Sequence, residues 1–573
     1  MAKIVLKLDN WLYNSGLLGL YNILRESGEK SLEVENNIVS FDEEALNNFS
    51  KKYFTYLIKK YEKTLSWYKI ISFKEKLEKI KEKLEKNLEE IEMTEIEELN
   101  SYIRDTLKFY IKSNSYLSAY EVIKTFSDVK FLDVQTIEKS INSIKFKKNE
   151  NIIDKKTEIE EQINKIKEII SYFEIDKVKE QIAGKNIVYT IIKNFWDGLS
   201  FLNPQTKEKN IYVDYNLYFV EALKKYLEED LSKYKHECFI CDRKIKNFDS
   251  GLSFLNNIGF DIKRKSSHSW NFQNHIAVCP LCILVYSCIP AGFNFLPLNG
   301  NGIFINYNRN FRGLESINNK LYMEIYKPHE KKSSLTYRAL MEAFEDEKLV
   351  SSEYELFDIQ VIRYENEKYY FSMLSKKSIK ILKESKEEFN KLIAKSYSEG
   401  NKTFWIYDET LKKIINNENL NLLIHKLLWN KITNQSGSYY SFFTIFNLII
   451  INLKLIKNKE ELMKEVDKKI YVFRDIGYNL RKKYIEKSDE TSAKSKINTM
   501  AYKIMNGINT GDIDMVMSTI INSYMYVKEE IPGIVNELVS DSDKLKNYGY
   551  SFLIGLLGEK YNNDKKGEDE NAK

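Results

Sequence analysis

The apolar positions of this chain follow two periods. Ile4, Leu6 and Leu8 alternate with the residues between them, so Lys3–Leu8 reads as a short strand. Trp11–Leu24 (WLYNSGLLGLYNIL) follows as an apolar helix, with Gly16 and Gly19 about one turn apart, where a second backbone can approach closely. From about Tyr53 to Ile182 the helical period takes over and predicts long helices. Phe73, Leu77, Ile80, Leu84 and Ile91 keep one face, supported by Glu75–Lys79 and Glu82–Lys86 at i, i+4. Ile159, Ile163, Ile166, Ile170 and Phe173 keep another, spaced four-three-four-three. That stripe reads as packing within a helical insertion, with a coiled-coil seam as the alternative.

Further on, Asn186–Tyr234 carries aromatic segments around Phe195-Trp196. Gly302–Tyr307 reads as a strand. Tyr354–Ile362 and Lys368–Leu374 read as a hairpin across Glu365-Asn366-Glu367, with β-branched and aromatic residues on both arms. From Leu411 onward the pattern is helical again. Ile497, Met500, Ala501, Ile504 and Met505 share a face; Asn509-Thr510-Gly511-Asp512 stops that helix and caps the next, whose face is Ile513, Val516, Ile520 and Tyr524. The residues from about Asn562 are polar and expected to be disordered. No internal repeat is evident.

Four of the five cysteines form two Cys-x-x-Cys pairs, Cys238/Cys241 and Cys279/Cys282. Each pair sets two thiolates on one tight turn, and two pairs supply the four soft ligands of a closed tetrahedral zinc site. The 242–278 stretch between them is longer than in a compact zinc ribbon and is expected to be an insertion clamped at its ends by the metal. His236 or His275 could replace one cysteine as ligand. Two disulfides, thiol redox chemistry or four unliganded thiols are the alternatives; nothing secretory at the start of the chain favours disulfides. Cys288, in an apolar run, reads as a small buried hydrophobe.

These readings give a fold that is mainly α with smaller β parts (α+β), a zinc-knuckle module in the centre and a C-terminal helical bundle. The expected organisation is an N-terminal strand and helix over 1–52 and a helical insertion over 53–185. A zinc-binding four-cysteine module over 186–290, an α+β region with the hairpin over 291–410 and the helical bundle over 411–573 follow.

A net charge of +5 on 573 residues does not indicate nucleic acid by itself; local clusters must carry that inference. Lys263, Arg264 and Lys265, with Asn271 beyond them, form a basic, polar and aromatic loop between the cysteine pairs. It suits phosphate contact with base-edge readout, or is an ordinary exposed loop. Arg309 and Arg312 follow a strand; Arg474, Arg481, Lys482 and Lys483 lie in the C-terminal helices, as a solvated face or the lining of a nucleic-acid channel. No phosphate-cradling Gly-x-x-x-x-Gly-Lys-Ser/Thr loop, His-Asp metal-nuclease pair, His-Glu-x-x-His or Gly-x-Ser-x-Gly is present. This balance favours a binding or assembly protein over an enzyme. No charge-free apolar run reaches bilayer length, and a cytoplasmic protein is expected, with no membrane partner.

Several segments together resemble one family. The WLYNSGLLGLYNIL opening, CFIC and CPLC with ILVYSCIPAGF behind them, and FINYNRN are similar to it. So are FRDIGYNL, AYKIMNGINTGDIDMVMSTIINSYMYV and FLIGLLGE near the C-terminus. The chain resembles the CXXC-CXXC family of CRISPR-associated proteins, the large subunit of type I-B Cascade; Tyr53–Ile182 stands outside the resemblance. The resemblance implies a subunit that is not itself the nuclease and that works with crRNA, target double-stranded DNA, and the Cascade backbone and crRNA-end subunits. It implies reading of the protospacer-adjacent motif, stabilisation of the opened duplex and recruitment of a helicase-nuclease. It also implies a small subunit made by internal translation, for which Met463 is the natural start. A zinc-containing nuclease or nucleic-acid-processing enzyme using carboxylates, and a helical scaffold without nucleic acid, are the competing readings.

Overall fold

The computed structural model describes residues 3–86, 91–147, 150–248, 250–257, 277–296, 300–326, 359–373, 376–400, 402–433, 436–456 and 460–558. Among them helices dominate and the strands form four small sheets, so the α+β class read from the periodicity holds. The chain divides into two compact units: Met1–Asn318 with Gln360–Phe371, and Asn319–Ile359 with Ser372–Lys573.

In the first unit, strand Lys3–Lys7 pairs antiparallel with Ile38–Asp42 (Lys3 opposite Asp42), and Glu33–Glu35 completes the sheet on the other side of Ile38–Asp42. The opening helix, Trp11–Glu26, starts at Asn10, whose side chain accepts from the amides of Leu12 and Tyr13. Every residue from Leu12 to Leu24 is buried, as expected of a helix that is apolar all round. Its glycines serve the close approach that their spacing predicts. A Cβ on Gly16 would lie 2.3 Å from the Val285 carbonyl oxygen, and one on Gly19 would lie 2.0 Å from that of Cys288. Gly292 returns the fit: a Cβ there would lie 1.8 Å from the Ser15 carbonyl oxygen.

The predicted long helices after Tyr53 are shorter pieces. They run from the four-residue Lys108–Ile111 to the eighteen-residue Lys156–Phe173. Local caps interrupt them: Glu92 forms a capping box with Glu95, and Asp133 accepts from the Thr136 amide. Ile159, Ile163, Ile166, Ile170 and Phe173 are all buried inside this unit, which settles the stripe as internal packing. Among the described residues, neither Glu75–Lys79 nor Glu82–Lys86 pairs; lysines of helix Lys74–Lys86 reach across to other helices, as in Lys83–Glu95 at 2.8 Å. A sheet in the order Asn294–Leu296, Asn301–Tyr307, Ile359–Glu365, Lys368–Met373 carries the predicted hairpin. Its turn is the pair Asn366-Glu367, both at positive φ (50° and 59°), the backbone of a tight two-residue hairpin. The predicted first arm over 354–358 lies outside the described residues.

In the second unit, Ser396–Glu399 pairs antiparallel with Lys402–Trp405, and helices make up most of the rest. Phe442–Ile456, the most apolar run, is a core helix, and among the described residues no helix is long and apolar enough to cross a membrane. Helix Glu490–Thr510 ends where read, on Gly511 at φ 75°, and Asp512 caps Ile513–Val527 by accepting from the Met515 amide. The Ile497–Met505 face is buried, as are Val516, Ile520 and Tyr524, whereas Ile513 is half-buried. Helices Glu460–Lys487 and Ser542–Leu557 cross in backbone contact: a Cβ on Gly477 would lie 2.1 Å from the Phe552 carbonyl oxygen, and one on Gly555 would lie 1.8 Å from that of Arg474.

Candidate metal centre

The first cysteine pair sits on a hairpin. Strands His236–Glu237 and Lys244–Ile245 pair antiparallel, and the Cys238 amide extends the ladder to the Arg243 carbonyl at 2.8 Å. The chain then folds under itself: the Asp242 amide donates to the Cys238 carbonyl at 3.0 Å, with Asp242 at φ 58°. That turn brings both thiols to one side. The second pair sits at the start of helix Pro280–Ser287. Cys279 is its N-cap, Pro280 occupies the first turn where an amide is not needed, and Cys282 completes that turn. The Phe239 amide donates to the Ala277 carbonyl at 2.9 Å and holds the two pairs together.

All four Sγ atoms lie within 4.8 Å of one another. Cys238 and Cys282 are 3.7 Å apart at sulfur, and Cys241 and Cys279 are 3.5 Å apart. Four thiolates about 2.3 Å from one tetrahedral zinc ion would lie about 3.8 Å apart, so the donor set fits such an ion. All four cysteines are free thiols, which removes the disulfide alternative. Cys238, Cys279 and Cys282 are buried and Cys241 is half-buried. His236 is not in the cluster; its ring lies 4.2 Å from that of Phe248, and His275 lies outside the described residues.

The four thiols are electrostatically linked. The hydrogen bond with Cys241, then those with Cys279 and Cys282, hold the Cys238 thiol far below its ordinary value. The Cys279 amide adds to this by donating to the Cys238 sulfur at 3.2 Å. Hydrogen bonds with Cys238 and Cys241 push Cys279 up, and those with Cys238, Cys241 and Cys279 push Cys282 up. A divalent ion between the sulfurs would let all four ionise together in so small a buried space, and the positive end of helix Pro280–Ser287 would help. Cys288 is buried as read, and burial pushes its thiol up to about 12.

The cysteine helix is held by groups that no motif announces. Ser287 is a hub: its carbonyl accepts from Tyr53 Oη at 2.9 Å and Trp196 Nε1 at 3.2 Å, and its hydroxyl meets Tyr215 Oη at 2.7 Å. Beyond it, the buried Lys60 donates to the carbonyls of Ala291 and Phe293, both at 2.8 Å. FINYNRN contributes through Asn306 and Asn308, which accept from Asn14 Nδ2 at 2.9 and 2.7 Å. Pro280 was the legible signal here, since proline favours the first turn of a helix.

The basic candidates divide. Lys263, Arg264, Lys265 and Asn271 lie outside the described residues. Arg309 is exposed. Arg312 donates to Tyr21 Oη at 2.7 Å and to Glu315 at 2.9 Å, and Glu315 also pairs with Arg25. In the second unit, Arg474 lies over the rings of Phe446 and Tyr471 and donates to Asp475 at 3.0 Å. Arg481 caps the last helix by donating to the carbonyls of Leu556 and Leu557, both at 3.2 Å. Lys482 is exposed, and Lys483 pairs with Glu529 at 2.9 Å.

No curated protein and no solved structure matches the chain. Residues 231–294, which hold both cysteine pairs and the cysteine helix, match the family model described as CRISPR-associated protein (Cas_CXXC_CXXC), and this part of the chain is similar to that family.

Proposed function

We propose that the protein is the non-catalytic large subunit of a type I CRISPR surveillance complex, with one structural zinc held by Cys238, Cys241, Cys279 and Cys282. The observation that carries this reading is the family match over residues 231–294, coinciding with a closed four-thiol site. A zinc ion bound there cross-links the Cys238–Asp242 turn to the start of helix Pro280–Ser287. Its four positions are filled by sulfur, so its work is to fix the fold. Catalytic zinc would keep a position for water.

In this reading the protein joins a crRNA with the backbone and crRNA-end subunits in the cytoplasm. It reads the protospacer-adjacent motif on duplex DNA, steadies the R-loop and offers a surface to the helicase-nuclease. Guide pairing reads the target sequence, so a near-neutral protein with local basic surfaces suffices. A fragment starting at Met463 would carry both Gly477 and Gly555 and so the whole glycine crossing of the second unit, which supports a separately translated small subunit.

The test is co-expression of the tagged chain with a CRISPR repeat-spacer transcript and the genes beside its own. Co-purification of guide RNA, and duplex binding that depends on the bases flanking the target, is the expected result. Purified protein that cuts labelled nucleic acid in a divalent-metal-dependent way would replace this reading with the enzyme.

A further inference from the structure

The helical part of the first unit, outside the matched segment, holds an open groove of about 860 Å³. Arg104 lines it from the widened helical turn Tyr102–Leu107 and Lys108 from the helix that follows. An extended strap, residues 141–147, brings Lys145, Phe146 and Lys147, and Lys155 also lines the groove. The strap is fixed by side-chain amides. Asn100 accepts from the Ile144 amide at 2.7 Å and donates to the Ile144 carbonyl at 2.9 Å, and the buried Gln162 accepts from the Asn142 amide at 2.9 Å.

Five cations therefore line one groove, against a single acidic lining residue, Glu158. Three carboxylates outside the lining also pair with them: Asp105 with Arg104, Glu138 with Lys108, and Glu150 with Lys147 and Lys155. Glu138 is buried and keeps its hold on Lys108. The exposed Arg104–Asp105 pair is weak and exchanges readily for another anion, whereas Lys155 is half-buried and held by both Glu150 and Glu158. Lys145 has no ion pair among the described residues. Phe146 is half-buried and lines the groove with its sequence neighbours Lys145 and Lys147.

We propose that this groove takes the phosphodiester backbone of a single-stranded nucleic acid, with one base stacked on Phe146. Cations that follow a backbone beside an accessible aromatic face are what single strands bind. A duplex keeps its bases stacked inside and offers no ring to Phe146. The proposal rests on the nucleic-acid reading above, but the two are judged separately, since membership of the complex is read by co-purification.

The test uses the intact protein and fluorescence anisotropy with labelled oligo(dT), oligo(rU) and a duplex of equal length, over a salt series. Phe146→Ala should weaken single-strand binding about 5- to 100-fold. Lys145→Gln with Lys147→Gln should weaken it and reduce the slope of log K against log salt by roughly 1.4, about 0.7 for each lysine–phosphate pairing removed. Lys79→Gln with Lys86→Gln, exposed positions off the groove, should do neither. Circular dichroism and melting confirm that the variants fold. Preference for oligo(dT) or oligo(rU) identifies the strand as DNA or RNA. Groove variants that bind like the parent, a parent that binds neither strand, or one that prefers the duplex would each overturn the proposal.

Discussion

The crossing of Trp11–Glu26 with the cysteine helix and the crossing of Glu460–Lys487 with Ser542–Leu557 use the same steric device, and they differ in what holds their ends. In each, glycines on both partners remove the side chains that would separate the backbones: Gly16, Gly19 and Gly292 in the first unit, Gly477 and Gly555 in the second. In each, a cation from a neighbouring helix takes the terminal carbonyls, Lys60 at Ala291 and Phe293, Arg481 at Leu556 and Leu557. The lengths are unequal. Helix Pro280–Ser287 has eight residues and Ile289–Gly292 four, whereas Glu460–Lys487 has twenty-eight and Ser542–Leu557 sixteen. Helices as short as the first pair are marginal on their own, and a metal bound by the four thiols would supply at the N-terminal end what length supplies in the second. The comparison teaches that the same close packing has a four-thiol cluster beside it where the helix is too short to align itself.

Removing the metal should separate the two regions most sharply. Cys279→Ser is expected to abolish zinc binding and unfold the first unit locally, a loss on the order of ten kcal/mol, while the melting transition of the second unit stays in place. Elemental analysis with calorimetry checks both halves. Cys288→Ser should keep the metal.

The buried cation comes next. Burial lowers the Lys60 ammonium to about 7 from its ordinary 10.5. Between those values the unfolded chain binds a proton that the folded chain does not, so stability rises with pH from about 7 to about 10.5 and is flat below. At about 1.4 kcal/mol per pH unit the rise amounts to a few kcal/mol. Denaturation of zinc-loaded protein across that range should show it, and Lys60→Met should flatten it.

Gly292→Ala and Gly555→Ala place a Cβ at the same distance, 1.8 Å, from a backbone oxygen. Each should cost about 1–3 kcal/mol in its own unit, because backbone must shift. Zinc content should fall only in Gly292→Ala, since only that crossing includes the cysteine helix Pro280–Ser287, which Gly16 meets at Val285. The smallest effect is Arg481→Ala, which removes a cap on the carbonyls of Leu556 and Leu557 and should lower the stability of the second unit by about 0.5–1 kcal/mol. Equal denaturation midpoints for Arg481→Ala and the parent would argue against the capping role.

Local spacing was legible in advance wherever one residue type at one interval has a single physical use. The two Cys-x-x-Cys pairs, the Ile159–Phe173 stripe, the Gly511-Asp512 stop and the close approach at Gly16 and Gly19 all follow from spacing alone. Other features needed the assembled chain. Tyr471, in a helix of the second unit, is 42 % exposed with the Arg474 guanidinium over its ring. Arg312 and Arg481 read as open basic positions and hold Glu315 and a helix end. Lys60, in a helix full of lysines, is the one that meets the carbonyls behind the cysteine helix, 231 and 233 residues away in sequence. Periodicity belongs to a residue and its near neighbours, so the sequence by itself determined the α+β character, the clustering of four thiols and the glycines that invite contact. Which donor meets which acceptor depends on chain segments brought together only by folding, and the tertiary structure alone decided that.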